Sequence, residues 1–232
     1  MTDQGGLKPY QVEVSVDAGR DEVWECVTQA GALHQWFGWD YDGLDAEIQQ
    51  IFLSEATFVA PERMGWADGS YLEVRDDGDK ALVRVAREVP GHKESDEYDP
   101  IEEGWRAFLI QLRFLVQEKP QGQRRTLYLT GETTGKQALA LTDGPWEQSG
   151  RRVAWAVNGD GHLVVVAARL PLQSHEAAHV EITVSTFGLD DAGFEKQRQE
   201  WTRRWAPIAA YARVTTAADP APGNAAPGNA NA

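Results

Sequence analysis

The sequence predicts an α+β fold in which an antiparallel sheet packs on a long C-terminal helix, with that piece used twice along the chain. Three observations carry the expectation. Two long amphipathic segments, each opened by acidic residues and each with a Trp on its apolar face, close two runs of strand pattern; the first is Asp99-Pro100-Ile101-Glu102-Glu103-Gly104-Trp105 and the second runs from Leu189-Asp190-Asp191 to Trp201 and Trp205. Aligning Trp105 with Trp201 brings Leu109 onto Trp205, Leu112 onto Ile208 and Leu115 onto Tyr211, the spacing of one helical face. Between them, Lys119-Pro120-Gln121-Gly122 interrupts the chain where Pro cannot continue a helix and Gly releases the backbone.

The elements follow in order. Val12, Val14 and Val16 alternate with Gln11, Glu13 and Ser15, the pattern of a half-buried strand. Residues 20–28 set Val23, Trp24 and Val27 on one helical face, and a second short helix is expected at residues 32–37. Residues 45–55 read as helix from Ile48, Ile51, Phe52 and Glu55, although a strand at their end fits the composition too. Strands are expected at residues 57–60, 70–75 and 81–89, with Asp77-Gly78 turning the last pair. The first long helix has a strong start: Asp99 as N-cap, Pro100 in the first position and Glu102 completing a capping box. Its apolar face reads Ile101, Trp105, Phe108, Leu109, Leu112 and Leu115.

The second half repeats the order. A strand at residues 125–130 and a short helix at 136–141 precede strands at 151–157, 162–170 and 178–186, the first two joined through Asn158-Gly159-Asp160-Gly161. Residues 163–168 are apolar on both faces, which places that strand centrally under two layers. The closing helix runs from about Asp191, with Phe194, Trp201, Trp205 and Ile208 inward and Pro207 kinking or ending it. Residues 8–120 and 123–214 are the two expected units, and the Ala-Pro-Gly-Asn repeat within 215–232 reads as a disordered tail.

Composition excludes several functions. With 232 residues, 42% hydrophobic content and nine Trp, the chain has ample material for a packed core. A formal charge of −14 repels phosphate backbones and anionic lipid, so neither nucleic acid nor membrane is an expected partner. No apolar run approaches the ~18 residues of a membrane helix and the first ten residues lack a signal core, so a cytoplasmic protein is expected. The lone Cys26 has no internal partner and reads as a buried structural thiol.

Three stretches carry a resemblance: Val12-Glu13-Val14-Ser15-Val16-Asp17-Ala18, then Asp21-Glu22-Val23-Trp24, then Leu33-His34-Gln35-Trp36-Phe37. Together they resemble the START-like (SRPBCC) superfamily, and within it the branch of activators of the heat-shock protein 90 ATPase. The resemblance implies a helix-grip fold, a curved antiparallel sheet around a long C-terminal helix, often with an apolar cavity between them. Only three strands are read between the short helices and Trp105, fewer than the superfamily's usual number, and the second half lacks a clear counterpart of the Trp36-Phe37 helix. Two reduced tandem units, or one enlarged unit with an inserted helix, both fit this pattern.

Candidate chemistry is sparse. Gly131-Glu132-Thr133-Thr134-Gly135-Lys136-Gln137 is one residue short of a phosphate loop and has Gln137 where a magnesium-binding hydroxyl belongs, so a strand-to-helix turn explains it. His175 and His179 are four apart, but Pro171 and the alternation after Val180 put the first in a loop and the second at a strand entrance, with no third ligand. His34, His92 and His162 read as packed or turn residues. Glu94, Asp96, Glu97, Asp99, Glu102 and Glu103 concentrate negative charge without calcium-loop spacing. No metal, cofactor or catalytic residue is expected.

The Trp set of Trp36, Trp39, Trp66, Trp105, Trp201 and Trp205 is the strongest functional feature. Trp36, Phe37, Trp105, Leu109 and Leu112 are the expected lining of a first apolar site, with Trp36 and Phe37 at its mouth, and Trp201 and Trp205 of a second. The expected function is non-enzymatic binding of a small hydrophobic ligand between sheet and long helix. The alternative is a protein-interaction module of the chaperone-ATPase-activator type, binding a protein partner through the acidic loop around Asp96 and Asp99.

Overall fold

The computed structural model describes residues 8–59, 62–90 and 95–220; Ala60, His92, Glu94 and the tail from Ala221 lie outside the described residues. The first half runs β1 (Tyr10–Val16), α1 (Arg20–Thr28), α2 (Ala30–Leu33) and α3 (Leu44–Ile48). A π-helical turn (Gln49–Ser54) then leads to β2 (Thr57–Val59), β3 (Arg63–Gly65), β4 (Ser70–Asp77), β5 (Lys80–Arg87) and α4 (Pro100–Glu118). The second half runs β6 (Arg124–Thr133), α5 (Gly135–Leu139), β7 (Glu147–Ser149), β8 (Val153–Val157), β9 (Leu163–Ala168), β10 (Ala178–Phe187), α6 (Asp191–Trp205) and β11 (Ala210–Thr215).

These elements form two antiparallel sheets, ordered β1-β5-β4-β3-β2 and β11-β6-β10-β9-β8-β7. Apart from β11 the orders correspond: each half pairs its first strand with its last, then steps back through the strands between. Each sheet is followed by a long helix that packs on it, so the α+β helix-grip arrangement occurs twice.

The layers stack as first sheet, α4, second sheet, α6. α4 is buried on more than one side, with Trp105, Phe108, Leu109 and Leu112 joined by Ala107, Ile110 and Phe114, as a helix between two layers requires. One core joins α1, the first sheet and α4 to Tyr128, Val153, Leu163 and Val165 on the near face of the second sheet. A separate core holds Leu129, Val164, Val166 and Ile182 on the far face against Phe194, Trp201 and Trp205 of α6. β9 is therefore central and covered on both faces, as its unbroken apolar run requires. The turn at residues 119–122 connects the sheets while the first core continues across it. Lys119 sits there at φ 47° as the C-cap, and Gly122 at φ 89° lies so close to the chain that a Cβ would fall 2.5 Å from Gly188 Cα.

Several expectations are corrected. Four strands, not three, separate the short helices from α4, because β3 was not read; β7 was likewise missed. Each is three residues long, too short to show alternation. α6 stops at Trp205, so Ile208 and Tyr211 do not extend the helical face of Trp201. Pro207 follows the cap, and residues 210–215 turn back as β11 beside β6, leaving Tyr211 82% exposed. Asp99 caps α4 as expected, accepting from the Ile101 and Glu102 amides, but Glu102 does not complete a capping box; its carboxylate pairs with Lys8 and Arg106.

Candidate functional site

The first candidate is an aromatic cluster between the first sheet and α4. The turn after α2 carries Trp36 and Phe37 inward, and the π-helical turn adds Phe52. In the cluster, Phe37 lies 4.8 Å from both Phe52 and Phe108, Phe52 lies 6.5 Å from Trp105, and Trp66 lies 5.8 Å from Trp105, centroid to centroid. Most contacts are edge-on or tilted, the geometry that ring quadrupoles favour. Trp36 Nε1 donates to the Cys26 carbonyl at 2.9 Å, which ties the turn to α1. Trp66 Nε1 donates to the Ile51 carbonyl at 2.8 Å, so the π-helical turn is latched by a ring at the edge of the cluster.

Of the residues read as a first site, Trp36, Phe37, Trp105, Leu109 and Leu112 all join this one core and all are buried. Trp36 and Phe37, expected at a mouth, lie at the bottom. The half-buried rim is instead Trp66 with Ile51. Trp201 and Trp205 lie in the other core, on the far face of the second sheet, where Trp205 Nε1 donates to the Thr130 carbonyl at 3.0 Å. The structure thus brings the seven together as two separate groups, five and two. Phe52, Trp66 and Phe108 complete the first group; Phe52 and Phe108 are visible in the sequence only as apolar helix positions, and Trp66 as a member of the Trp set without an assigned place.

The acidic loop is occupied by internal partners. Asp96 pairs with Arg151 and Arg152, and their guanidiniums hold its carboxyl low against the effect of desolvation. Asp99 is buried, and Arg87 Nη2 lies 3.2 Å from it. Glu102 binds Lys8 at 2.8 Å and Arg106 at 2.6 Å. Glu103 lies 3.4 Å from Arg106 and 3.5 Å from Arg152; burial pushes its carboxyl up, against both arginines. Asp96, Glu102 and Glu103 with Lys8, Arg106, Arg151 and Arg152 line a polar crevice of about 90 Å³ that also includes Gly150. It joins the start of α4 to the turn before β8.

The second sheet offers a different surface toward α4. Strand alternation puts Leu163, Val165, Val153 and Trp155 on that face over β9 and β8, where α4 lies. On β6 and β10 the same face carries Thr126, Tyr128 and Thr130 beside Ser185, Thr183 and Glu181. Trp39 stacks on Tyr128 at 3.9 Å and 5° between planes, and the Asp40 amide and carboxylate clasp Thr126 at 2.6 and 2.7 Å. Glu181 accepts from His179 Nε2 at 3.3 Å, which raises the imidazole pKa. Burial, then Glu181, pushes the Tyr98 hydroxyl up to about 12 and Tyr128 further, so both phenols stay protonated donors at neutral pH. No sequence signal marks this cluster, because its members come from four separated segments.

The remaining motifs have structural roles. Thr134 and Gln137 form a capping box at α5, and a Cβ on Gly135 would meet the Leu172 carbonyl at 2.5 Å, so that glycine serves close packing. His175 lies in a turn and His179 in β10. His34 lies 3.4 Å from Asp45, and His162 is buried before β9 with its pKa lowered by desolvation. Cys26 is partly buried, and burial raises its thiol pKa. Among the described residues no group of three or more His, Cys, Asp or Glu side chains is placed to hold a metal, and no helix is long and apolar enough to cross a membrane.

No family model matches the chain, and no curated protein matches it. Among solved structures it is similar to DynU16, a protein in the dynemicin biosynthetic locus, at 15% identity over 86% of this chain and 96% of that one, with a TM-score of 0.34. At that score no argument is taken from the likeness. The helix-grip assignment rests on strand order and helix placement in this chain.

Proposed function

We propose that the chain is a non-enzymatic helix-grip protein that binds a small apolar molecule between its first sheet and α4. The observation that carries this reading is the continuous run of aromatic contacts from fully buried Trp36 to half-buried Trp66, beneath a π-helical turn held by one side-chain hydrogen bond. π-helical turns are rare and recur at functional sites, and here the turn supplies both Phe52 and the Ile51 carbonyl of the latch. The rings fill one another's space in the closed state, so entry of a ligand requires Trp66 and the turn to move aside. Binding is then driven by apolar burial, at roughly 25 cal/mol per Å².

The test is a titration of intrinsic Trp fluorescence with apolar compounds, in the natural chain and in Trp105→Ala. Saturable change in the first and its loss in a folded variant supports the reading; equal affinity in both overturns the assignment of Trp105. The alternative of a protein-interaction module gains little from the acidic loop, whose Asp96, Asp99, Glu102 and Glu103 already have cationic partners within the chain. The resemblance to chaperone-ATPase activators rests on residues 10–37 and the closing helices.

A further inference from the structure

We propose a second ligand site, on the polar half of the α4-facing surface of the second sheet, that takes a neutral polyhydroxylated molecule such as a small saccharide. The argument starts from how α4 sits. It covers β8 and β9, where the sheet is apolar, and leaves beside it a floor formed by Tyr128 and Thr130 of β6 with Glu181 and Thr183 of β10. Those two threonines are each 8% exposed and Tyr128 is 2% exposed, so the floor is buried and hydroxyl-rich. Buried polar groups cost stability unless something bonds them.

One group in this floor is left without a partner. Trp39, 6% exposed and stacked on Tyr128, has an Nε1 that is buried and unbonded among the described residues. The rim is open: the side chains of His179 and Glu181 are 40% and 34% exposed, and Tyr98 is 36% exposed with Arg169 5.9 Å from its ring centroid. A half-open rim over a buried polar floor with an orphaned donor is the form of a site rather than of a finished core.

The chemistry selects the class. The Tyr98 phenol, the Trp39 indole and the Arg169 guanidinium donate; Glu181, held by His179 and Tyr128, accepts through its remaining lone pairs; the threonine hydroxyls do both. Acidic Glu181 and Glu132 are offset by Arg169 and by His179 when protonated, so neither an anion nor a cation is favoured. A ligand whose groups each donate and accept meets all of these at once, and vicinal hydroxyls do so. Tyr98 adds an aromatic ring face, the negative side of its quadrupole, for the C–H groups of such a molecule.

The site uses none of the rings of the aromatic cluster, although Trp39 and Tyr128 belong to the same core, so its test is independent of the proposed apolar ligand. The full chain is titrated with D-glucose and followed by amide NMR. The expected result is saturable shifts confined to Trp39, its indole N–H included, Tyr98, Tyr128, Thr130, Arg169, His179, Glu181 and Thr183, with affinity at least tenfold weaker in Glu181→Ala and Tyr98→Phe and within a few-fold of the natural chain in Glu181→Gln, which keeps an acceptor. Glu181 and Tyr98 are both partly exposed, so the variants fold. Absence of saturable shifts up to about 100 mM, well above a ~1 mM Kd, overturns the proposal. So do shifts elsewhere, or shifts that survive in Glu181→Ala.

Discussion

Replacing Arg124 by Met should destabilise the whole molecule, because this one side chain fastens four segments. Arg124 sits at the start of β6 and is 3% exposed. Its guanidinium donates to the Phe37 carbonyl at 3.1 Å, the Gly38 carbonyl at 2.9 Å and Ser185 Oγ at 3.1 Å, and also to the Gln111 side-chain oxygen. The chain after α2, helix α4 and strand β10 are thereby held to β6. Burial pushes its pKa down to about 10, with the Asp40 charge opposing.

Met matches the length of the side chain and supplies no donor. Three carbonyl acceptors lose a charged donor, at about 1–3 kcal/mol each. Against this, the desolvation of the guanidinium disappears, which offsets part of that cost. The net expectation is a loss of ~2–5 kcal/mol, a large share of the 5–15 kcal/mol by which domains are stable. Urea unfolding followed by far-UV circular dichroism measures it: at an m-value of about 3 kcal/mol/M the midpoint falls by ~1 M or more. Arg124→Lys, which keeps the charge and some donors, should fall between the two. A Met variant with an unchanged or higher midpoint would refute the reasoning, since the loss of the charged donor from these acceptors would then cost nothing.

Three further outcomes follow from single positions. Gly122→Ala should lower the melting temperature, with a loss of about 2 kcal/mol, because it combines a φ of 89° with a Cβ placed 2.5 Å from Gly188 Cα; an unaltered thermal transition would show that the turn relaxes freely. Asp99→Ala should cost ~2–4 kcal/mol in chemical unfolding, more than the ~1 kcal/mol of a lost cap, because buried Arg87 loses its closer carboxylate and keeps only Asp68 at 3.5 Å; Asp99→Asn should recover only the cap, and equal behaviour of the two variants would contradict this. The Glu103 carboxyl should titrate by carbon-detected NMR above the ordinary glutamate value, because desolvation outweighs Arg106 and Arg152. The folded state then holds that proton more tightly than the unfolded chain, so this group favours folding at low pH and the benefit is lost as pH rises through the folded midpoint. Glu103→Gln should remove that dependence, and a midpoint at or below the ordinary value would overturn it.

What the sequence disclosed and what it withheld divide along physical lines. Long signals survived: the Val12, Val14, Val16 alternation, the Asp99-Pro100 helix start and the doubly apolar run at residues 163–168 each match an element. Short or non-local features did not. β3 and β7 exist through pairing with β4 and β8, not through their own three residues. β11 was read as helix because Ile208 and Tyr211 fall at helical intervals from Trp205, yet the chain breaks at Pro207 and pairs with β6. The apolar members of the aromatic cluster were legible as core residues, but their depth was not: Trp36 precedes Phe37 in a turn whose direction is set by the bond to Cys26, ten residues away. The acidic loop looked like free charge because Lys8, Arg87, Arg151 and Arg152 are distant in the chain.

The central claim, that the cluster under the π-helical turn receives an apolar small molecule, is tested most directly by native mass spectrometry of the gently purified chain beside its denatured mass and beside Trp105→Ala. The claim predicts an added small mass on the natural chain that disappears on denaturation and is reduced or absent on the variant. A natural chain that carries no added mass and gains none when offered apolar compounds contradicts it, as does an adduct retained equally by Trp105→Ala.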